Sequence, residues 1–281
     1  MIPCTPHPGL GKVTFAHVQV DLATCAQRRA VPVPPPSSDA TVSTKRESET
    51  VLFKGKVVLT ISERHNANGM LPGPLFCCEL SPDKKWIFYA IDPYGSNSYA
   101  ADGLMTRAIR ATGGRSYVVS SGIGDTDYRA WCGGRLVVTA GTNRIATEHK
   151  WLVVTGPPDW KAKRLVAAPG RAFGSMVCSP DGKSIVVQSQ PSSTNAYFFA
   201  THWALWRIGL DGSMTQLTHP PAHHADESPH FAGGVLYFAR SIKGVGKLYA
   251  LKRGKLVGPL LSFGYQLGYY GHQIWPYAVT R

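Results

Sequence analysis

Five of the ten histidines lie in the last quarter of the sequence, where they and two nearby acidic residues could act as metal ligands. Imidazole and carboxylate groups are among the ligands that bind zinc and manganese. The group comprises His219, His223, His224, Asp226, Glu227 and His230, with His272 farther along the chain. The alternative is that residues 219–227 form a polar connection between two structural units, and we favour it. We therefore predict no metal or other cofactor, and keep as candidate ligands for the metal alternative only His219, His223, His224 and His230.

The sequence offers no support for covalent catalysis by serine. A nucleophile of the α/β-hydrolase type needs the pattern Gly-x-Ser-x-Gly, and this pattern does not occur. Residues 122–127 (Gly-Ile-Gly-Asp-Thr-Asp) vaguely resemble a phosphate or calcium loop, but they lack the lysine of the first and the ligand spacing of the second. We interpret this segment as a connection between structural units.

Aromatic side chains could stack on sugars or anchor a peptide if they were exposed. The candidates are Trp203, Trp206, Tyr265, Tyr269, Tyr270, Trp275 and Tyr277. On strands, alternate residues face the interior, and we therefore expect most of these aromatics to be core residues. Trp275 is kept as a candidate binding residue.

The charge of the chain is strongly positive but dispersed. Thirty lysines and arginines face 17 acidic residues over 281 positions, for a net charge of +13. The basic residues form only short groups near predicted turns, such as residues 161–164 and 252–255. We therefore favour a basic, solvated surface over a nucleic-acid site. No stretch reaches the roughly 18–20 apolar residues that a membrane helix needs, so we predict no integral membrane segment.

The six cysteines lack the Cys-x-x-Cys spacing of zinc and thioredoxin-like motifs. A disulfide between Cys4 and Cys25 is one option, and the state of Cys77 and Cys78 is left open. Cys178 precedes a predicted turn, and we interpret it as a small, buried apolar residue.

A repeated sequence pattern predicts the strands and turns that carry the candidate residues. Residues 80–89 and 178–187 each read as a strand end, a Ser-Pro-Asp turn and a second strand, and residues 131–138 and 231–238 are looser copies. The copies start 51, 47 and 53 residues apart. Strands flanking a turn at a period of roughly 40–50 residues are typical of β-propeller blades.

The pattern Cys-Ser-Pro-Asp-Gly-Lys-x-Ile-x-Val at 178–187, followed by Leu-Trp-x-Ile-x-Leu-Asp-Gly at 205–212, resembles the WD40-like Pro-Asp repeat of TolB-type β-propellers. The clearest blades by this resemblance cover about 76–119, 122–168, 170–218 and 222–261. Asp226 matches the Asp-x-x-Pro lead-in of the family, and Asp127 lies similarly before Trp131. His230 lies on a predicted inner strand, where it could face the central channel.

The ends of the chain complete the predicted fold. Residues 15–25 resemble the outer hairpin of a blade, with Cys25 where the family usually has glycine, and residues 271–279 resemble an inner hairpin. Joining them would close the propeller with strands from both termini. Residues 50–61 add a further hairpin after a proline-rich stretch. We predict an all-β chain, residues 1–281 forming one propeller domain of six four-stranded blades, with five as the alternative count.

Our leading hypothesis for the function is a non-catalytic scaffold that binds a protein or peptide partner through its loop face or central channel. The candidate binding residues are His230, Asp226, Asp127, His272 and Trp275. The alternatives are a metal-dependent polysaccharide lyase or hydrolase that uses channel histidines such as His230 and His272, as some related lyases do, and a carbohydrate-binding module. We expect a monomer. The resemblance implies a periplasmic or secreted location, although no signal peptide is visible in the sequence.

Overall fold

In the residues that it describes, the computed structural model contains strands as the only extended regular structure. It describes residues 2–15, 17–30, 39–45, 48–62, 75–91, 104–122, 126–141, 145–193, 202–265, 275 and 277–281. These residues form 23 β-strands and one 3₁₀ turn, Thr126–Tyr128. In this part of the chain, no helix has the length and apolar character needed to cross a membrane.

The chain divides into two compact units. The first comprises Met1–Val33, Ile145–Trp151 and Leu165–Arg281, and the second comprises Pro34–Arg144 and Leu152–Arg164.

The first unit contains three four-stranded antiparallel sheets. The terminal sheet has the order β23-β1-β2-β3, with strands β1 (Lys12–Phe15), β2 (Val18–Asp21), β3 (Gln27–Arg29) and β23 (Tyr277–Thr280). Sheet 5 runs in chain order through β15 (Arg171–Cys178), β16 (Ser184–Pro191), β17 (Ala204–Gly209) and β18 (Met214–Gln216). Sheet 6 follows as β19 (Ala225–Ala232), β20 (Val235–Ile242), β21 (Val245–Lys252) and β22 (Lys255–Tyr265).

The second unit contains the remaining strands. Sheet 2 has three strands in the described residues, β4 (Ala40–Lys45), β5 (Ser48–Phe53) and β6 (Lys56–Ser62). Sheet 3 comprises β7 (Leu75–Leu80), β8 (Trp86–Ile91), β9 (Leu104–Arg110) and β10 (Ser116–Gly122). Sheet 4 comprises β11 (Arg129–Cys132), β12 (Arg135–Ala140), β13 (Trp151–Thr155) and β14 (Lys163–Arg164). A single residue pair, Gly122 with Ala140, joins sheets 3 and 4. Within the described chain these are six antiparallel sheets, as predicted for six blades.

The two chain termini meet in one sheet, as predicted. Strand β1 pairs with β2 on one side and with β23 on the other, where Phe15 lies opposite Tyr277. A disulfide between Cys4 and Cys25 ties the first residues to the β2–β3 turn. Cys25 has a φ of 58°, which accounts for the glycine that the repeat usually has at this position.

The Ser-Pro-Asp turns are closed by the same hydrogen bonds in both close copies of the repeat. Between β15 and β16, the Ser179 hydroxyl donates to Asp181 Oδ1 at 2.5 Å, and the backbone N–H of Lys183 donates to the same oxygen at 3.0 Å. Between β7 and β8, Ser81 donates to Asp83 Oδ1 at 2.6 Å. These serine hydrogen bonds lower the pKa of both aspartates. The Ser-Pro-Asp repeat therefore has a structural role, which is to stabilise the turn between two strands, rather than a binding role.

Each unit has a core between neighbouring sheets. In the first unit, Val13 and Val20 of the terminal sheet pack with Leu248 of sheet 6 and with Trp275. In the second unit, the buried Trp160 ring contacts three aromatic rings of sheets 3 and 4, with centroid distances of 5.0, 5.4 and 6.2 Å to Trp86, Phe88 and Trp131 respectively. The predicted apolar strand faces thus become the packing surfaces between sheets.

Cys178 differs from the prediction. It is disulfide-bonded rather than a free, buried apolar residue, and Cys78 and Cys132 are also disulfide-bonded. None of the described cysteines is free. The sequence signal missed this because strand-end cysteines in separate repeats give no spacing from which a pairing can be read.

Candidate binding pocket

A pocket of about 460 Å³ lies at one end of sheet 5, in the first unit. It is lined by the start of β15, the end of β16, the start of β17 and the connection that leads from β18 to β19. We call it the sheet-5 pocket, and its lining residues are Arg171, Ser189, Gln190, Pro191, His202, Ala204, Trp206, Gln216, His219, Pro220, Pro221, Ala222, His223 and His224.

The register of sheet 5 brings these residues together. Arg171 lies opposite Pro191 in the β15–β16 pair, Ser189 lies opposite Ala204 in the next pair, and Trp206 lies opposite Gln216 in the last. Antiparallel strands place the start of one strand beside the end of its neighbour, and the pocket is built on these neighbouring ends. Its floor is therefore part of a regular sheet.

The wall formed by residues 217–224 is held in place by local hydrogen bonds. The buried Thr218 hydroxyl accepts the backbone N–H of Leu205 at 2.9 Å, and the Gln216 side chain donates to the Thr218 carbonyl at 2.8 Å. The backbone N–H of His224 donates to the Pro221 carbonyl at 3.1 Å. The start of this wall is thus anchored to β17 and β18, and its end is held by a local turn.

Arg171 is the main charged group of the pocket. Its guanidinium lies over the Trp206 ring, with 4.4 Å between the central carbon and the ring centroid, a cation–π distance. Its Nε donates to the Ser189 hydroxyl at 3.0 Å. Burial lowers the pKa of this guanidinium, which nonetheless stays charged at physiological pH. No described carboxylate forms an ion pair with Arg171.

Three of the candidate metal ligands lie in this pocket together with His202, which the sequence had not singled out. The His202 and His223 rings are 6.1 Å apart between centroids, and His224 Nδ1 donates to the Ala222 carbonyl at 3.0 Å. His219 is exposed. Among the described residues, no three histidine, cysteine or acidic side chains are grouped so as to hold a metal ion.

Asp226 lies in a buried ion pair away from the open part of the pocket. Arg240 donates to both of its carboxylate oxygens, at 2.6 and 2.8 Å, and Asp226 is fully buried. Burial disfavours the charged guanidinium, but the hydrogen bond and charge of Asp226 outweigh this effect and raise the pKa of Arg240. Asp226 therefore fixes β19 to β20.

The candidates His230 and Trp275 also lie inside the first unit. The Trp275 indole donates to Glu227 Oε2 at 3.0 Å, and its backbone N–H donates to the Ser228 hydroxyl at 2.9 Å. The half-buried His230 ring packs edge-on against Tyr277, at 4.6 Å between centroids. Burial lowers the pKa of His230. We call residues 226–230, with 275 and 277, the β19 latch, because they tie β19 to the end of the chain.

Asp127 and His272 are the two remaining candidates. Asp127 is half-buried in the 3₁₀ turn of the second unit. His272 lies outside the described residues, as do Tyr269 and Tyr270. Among the described aromatic candidates, Trp203, Trp275 and Tyr277 are buried, as expected for core residues.

Sequence analysis missed Arg171 and His202 as pocket residues. The signal was weak, because a single arginine at the start of a strand and a lone histidine after a polar loop carry no motif. Only the register of sheet 5 shows that Arg171 lies beside the ring of Trp206, which is 35 positions farther along the chain.

Comparison with known proteins identifies the fold. No protein-family model matches the sequence, and no curated protein matches it significantly. The structure is similar to that of a TolB protein from Agrobacterium tumefaciens, with a TM-score of 0.50, 15% identity and coverage of 93% of this chain and 92% of that one. The chain has a β-propeller fold.

Two larger enzymes contain a similar propeller. A puromycin hydrolase gives a TM-score of 0.50 at 12% identity, covering 94% of this chain and 45% of the enzyme. A prolyl endopeptidase gives 0.51 at 15% identity, covering 92% and 36% respectively. The chain thus spans less than half of either enzyme. At these identities the similarity establishes the propeller fold and says nothing of activity.

Proposed function

We propose that this propeller is a binding scaffold for a protein partner and that an extended peptide segment of the partner occupies the sheet-5 pocket. The observation that carries the proposal is the pocket itself. A volume of about 460 Å³ lies in the range of ligand-binding sites and suits a few amino-acid residues. Strands and an anchored loop provide its walls, so little ordering entropy would be lost when a peptide binds.

The lining of the pocket suits a peptide better than a sugar. Pro191, Pro220 and Pro221 supply apolar walls, while Arg171 supplies charge. Sugars are commonly bound by stacking on an open aromatic face, but Arg171 lies over the Trp206 ring. No specific contact favours the carbohydrate-binding module or the metal-dependent lyase or hydrolase, and these remain hypotheses.

We also propose an extracytoplasmic location. Disulfides persist in oxidising compartments and are rare in the cytosol. The bond between Cys4 and Cys25 and the oxidised state of Cys78, Cys132 and Cys178 support such a location. Mass spectrometry of the protein from its native cells, alkylated before and after reduction, tests this proposal. Cysteines that react fully before reduction would contradict it.

Selection from a random peptide library displayed on phage tests the peptide proposal. Ala222 is exposed and lines the pocket, so Ala222→Trp would fill the site without disturbing the core. Ala26, exposed on the β2–β3 turn, provides the matched control Ala26→Trp. We expect peptides that bind wild type and Ala26→Trp equally and bind Ala222→Trp at least tenfold more weakly. Failure to enrich any peptide, or enrichment of peptides indifferent to Ala222→Trp, would contradict the proposal.

A further inference from the structure

We infer that the sheet-5 pocket recognises a carboxylate on the bound peptide and that the Arg171 guanidinium is the group that receives it. This inference rests on the proposed peptide-binding function and specifies its ligand chemistry. The carboxylate could belong to the C-terminus of the peptide or to an aspartate or glutamate side chain, since both present the same two oxygens.

The first argument is the orientation of Arg171. The Trp206 ring at 4.4 Å and the Ser189 hydroxyl at 3.0 Å from Nε hold the guanidinium on one face and one edge. No described residue accepts a hydrogen bond from its two terminal nitrogens. A guanidinium held in this way presents parallel N–H donors, a geometry that matches the two oxygens of a carboxylate.

The second argument is the charge of the pocket. Among the described residues, its lining contains one arginine and four histidines but no aspartate or glutamate. Burial lowers the pKa of Arg171, which reports the loss of solvent around its charge. A partly desolvated cation without a carboxylate nearby is costly, and an incoming carboxylate would offset that cost. The buried Arg240 of the same unit, by contrast, already has a carboxylate partner in Asp226.

The third argument concerns the competing polar groups. The Gln190 side chain accepts the backbone N–H of His202 at 2.7 Å, and the Gln216 side chain donates to Thr218. Both amides form hydrogen bonds that hold the pocket walls. Arg171 is therefore the main charged donor available to a ligand. The specificity of the pocket would therefore depend on this one side chain.

Fluorescence anisotropy with three sets of labelled peptides tests the inference. The three sets have the same composition at their other positions, which are randomised among apolar residues and proline. The first set has a free C-terminal carboxylate and no acidic residue, the second is amidated and contains one aspartate or glutamate, and the third is amidated and contains asparagine or glutamine instead. We expect wild type to bind the first or second set at least tenfold more tightly than the third, and the preferred set identifies the source of the carboxylate.

Arginine variants assign the effect to its residue. Arg171→Met should abolish the preference for a carboxylate, and Arg171→Lys should retain only part of it because lysine lacks the planar fork. Arg207→Met is the matched control, since Arg207 is an exposed neighbour of Trp206 on β17, and successive strand residues face opposite sides. It removes the same charge and should leave the preference unchanged. Melting temperatures verify that each variant is folded.

The outcomes separate the inference from the function on which it rests. Equal binding of all three peptide sets, blocked by Ala222→Trp, would overturn the carboxylate inference and leave peptide binding intact. Binding of no set would overturn both. Arg171-dependent binding of trigalacturonate, used as a non-peptide carboxylate, with no binding of any peptide set would replace the peptide by an acidic sugar and overturn the inference as stated.

Discussion

Residues 219–224 and residues 226–230 follow each other along the chain, and both stretches carry histidine or acidic side chains, yet their surroundings are opposite. The first stretch forms a wall of the sheet-5 pocket, where His219 and His223 are exposed. The second stretch lies within β19, where Asp226 and Glu227 are fully buried. Sequence analysis treated both as one candidate site.

The difference follows from strand pairing. Strand β19 pairs with β20 from Ala225 onward, so that its side chains are enclosed and must find partners inside the protein. Residues 219–224 come after the last pairing of β18, at Gln216, and include two prolines that lack the N–H needed for a ladder. In this segment, the polar residues within β19 therefore serve the fold, whereas those just before it remain available for a ligand.

The largest expected effect is at the buried ion pair of the β19 latch. Asp226→Asn would leave the Arg240 guanidinium, only 11% exposed, without its negative partner. Breaking a buried pair in this way costs about 3–5 kcal/mol, and the melting temperature of a chain of this length should fall by about 5–9 °C. Thermal unfolding followed by circular dichroism measures this loss.

The control for this prediction is an exposed pair. Asp159→Asn breaks the contact of Asp159 with Lys161, where both side chains are more than half exposed, and should cost at most about 1 kcal/mol. The double variant Asp226→Leu with Arg240→Leu should be more stable than Asp226→Asn, because no charge stays buried alone. Equal losses for the buried and exposed pairs would show that burial does not determine the cost of breaking the latch pair.

The second effect is at Glu227. Its Oε2 accepts hydrogen bonds from the Ser241 hydroxyl at 2.6 Å and from the Trp275 indole at 3.0 Å. Glu227→Leu leaves two buried donors without this acceptor, which should lower the free energy of unfolding by about 2–4 kcal/mol in urea titrations. Glu227→Gln retains an acceptor oxygen and should lose clearly less. Equal losses for the two variants would show that packing, rather than these hydrogen bonds, explains the role of Glu227.

The sequence contained most of the fold because the repeat is local. Ser-Pro-Asp turns and flanking apolar strands can be recognised within about ten residues, and the positions of Ser179 and Ser81 in these turns follow from them. The binding site depends on contacts that are not local. Arg171 on β15 contacts Trp206 on β17, with β16 between them. Glu227 contacts Trp275 at a separation of 48 residues. The alternation of apolar and polar residues along a strand does not show which distant residues contact each other.

A third effect should appear only in acid. Burial lowers the pKa of His230, so as pH falls the unfolded chain takes up a proton at this residue before the folded protein does. The stability contributed by neutral His230 is therefore present above the ordinary histidine pKa of about 6.5 and is lost as pH falls through the folded pKa. His230→Gln should lose less stability than wild type between pH 8 and pH 5 in parallel urea titrations. A steeper loss for the variant would reverse the sign of this argument.

The smallest expected effect on stability is in the pocket wall. His219→Ala and His223→Ala remove exposed side chains, and the free energy of unfolding should change by no more than about 0.5 kcal/mol. The same variants should weaken the binding of a carboxylate peptide, because both side chains line the pocket. Urea titration and anisotropy on one protein preparation separate the two properties. A stability loss as large as that of Glu227→Leu would mean that the wall, like the latch, serves the fold, and the contrast between the two stretches would then lie in their solvent exposure alone.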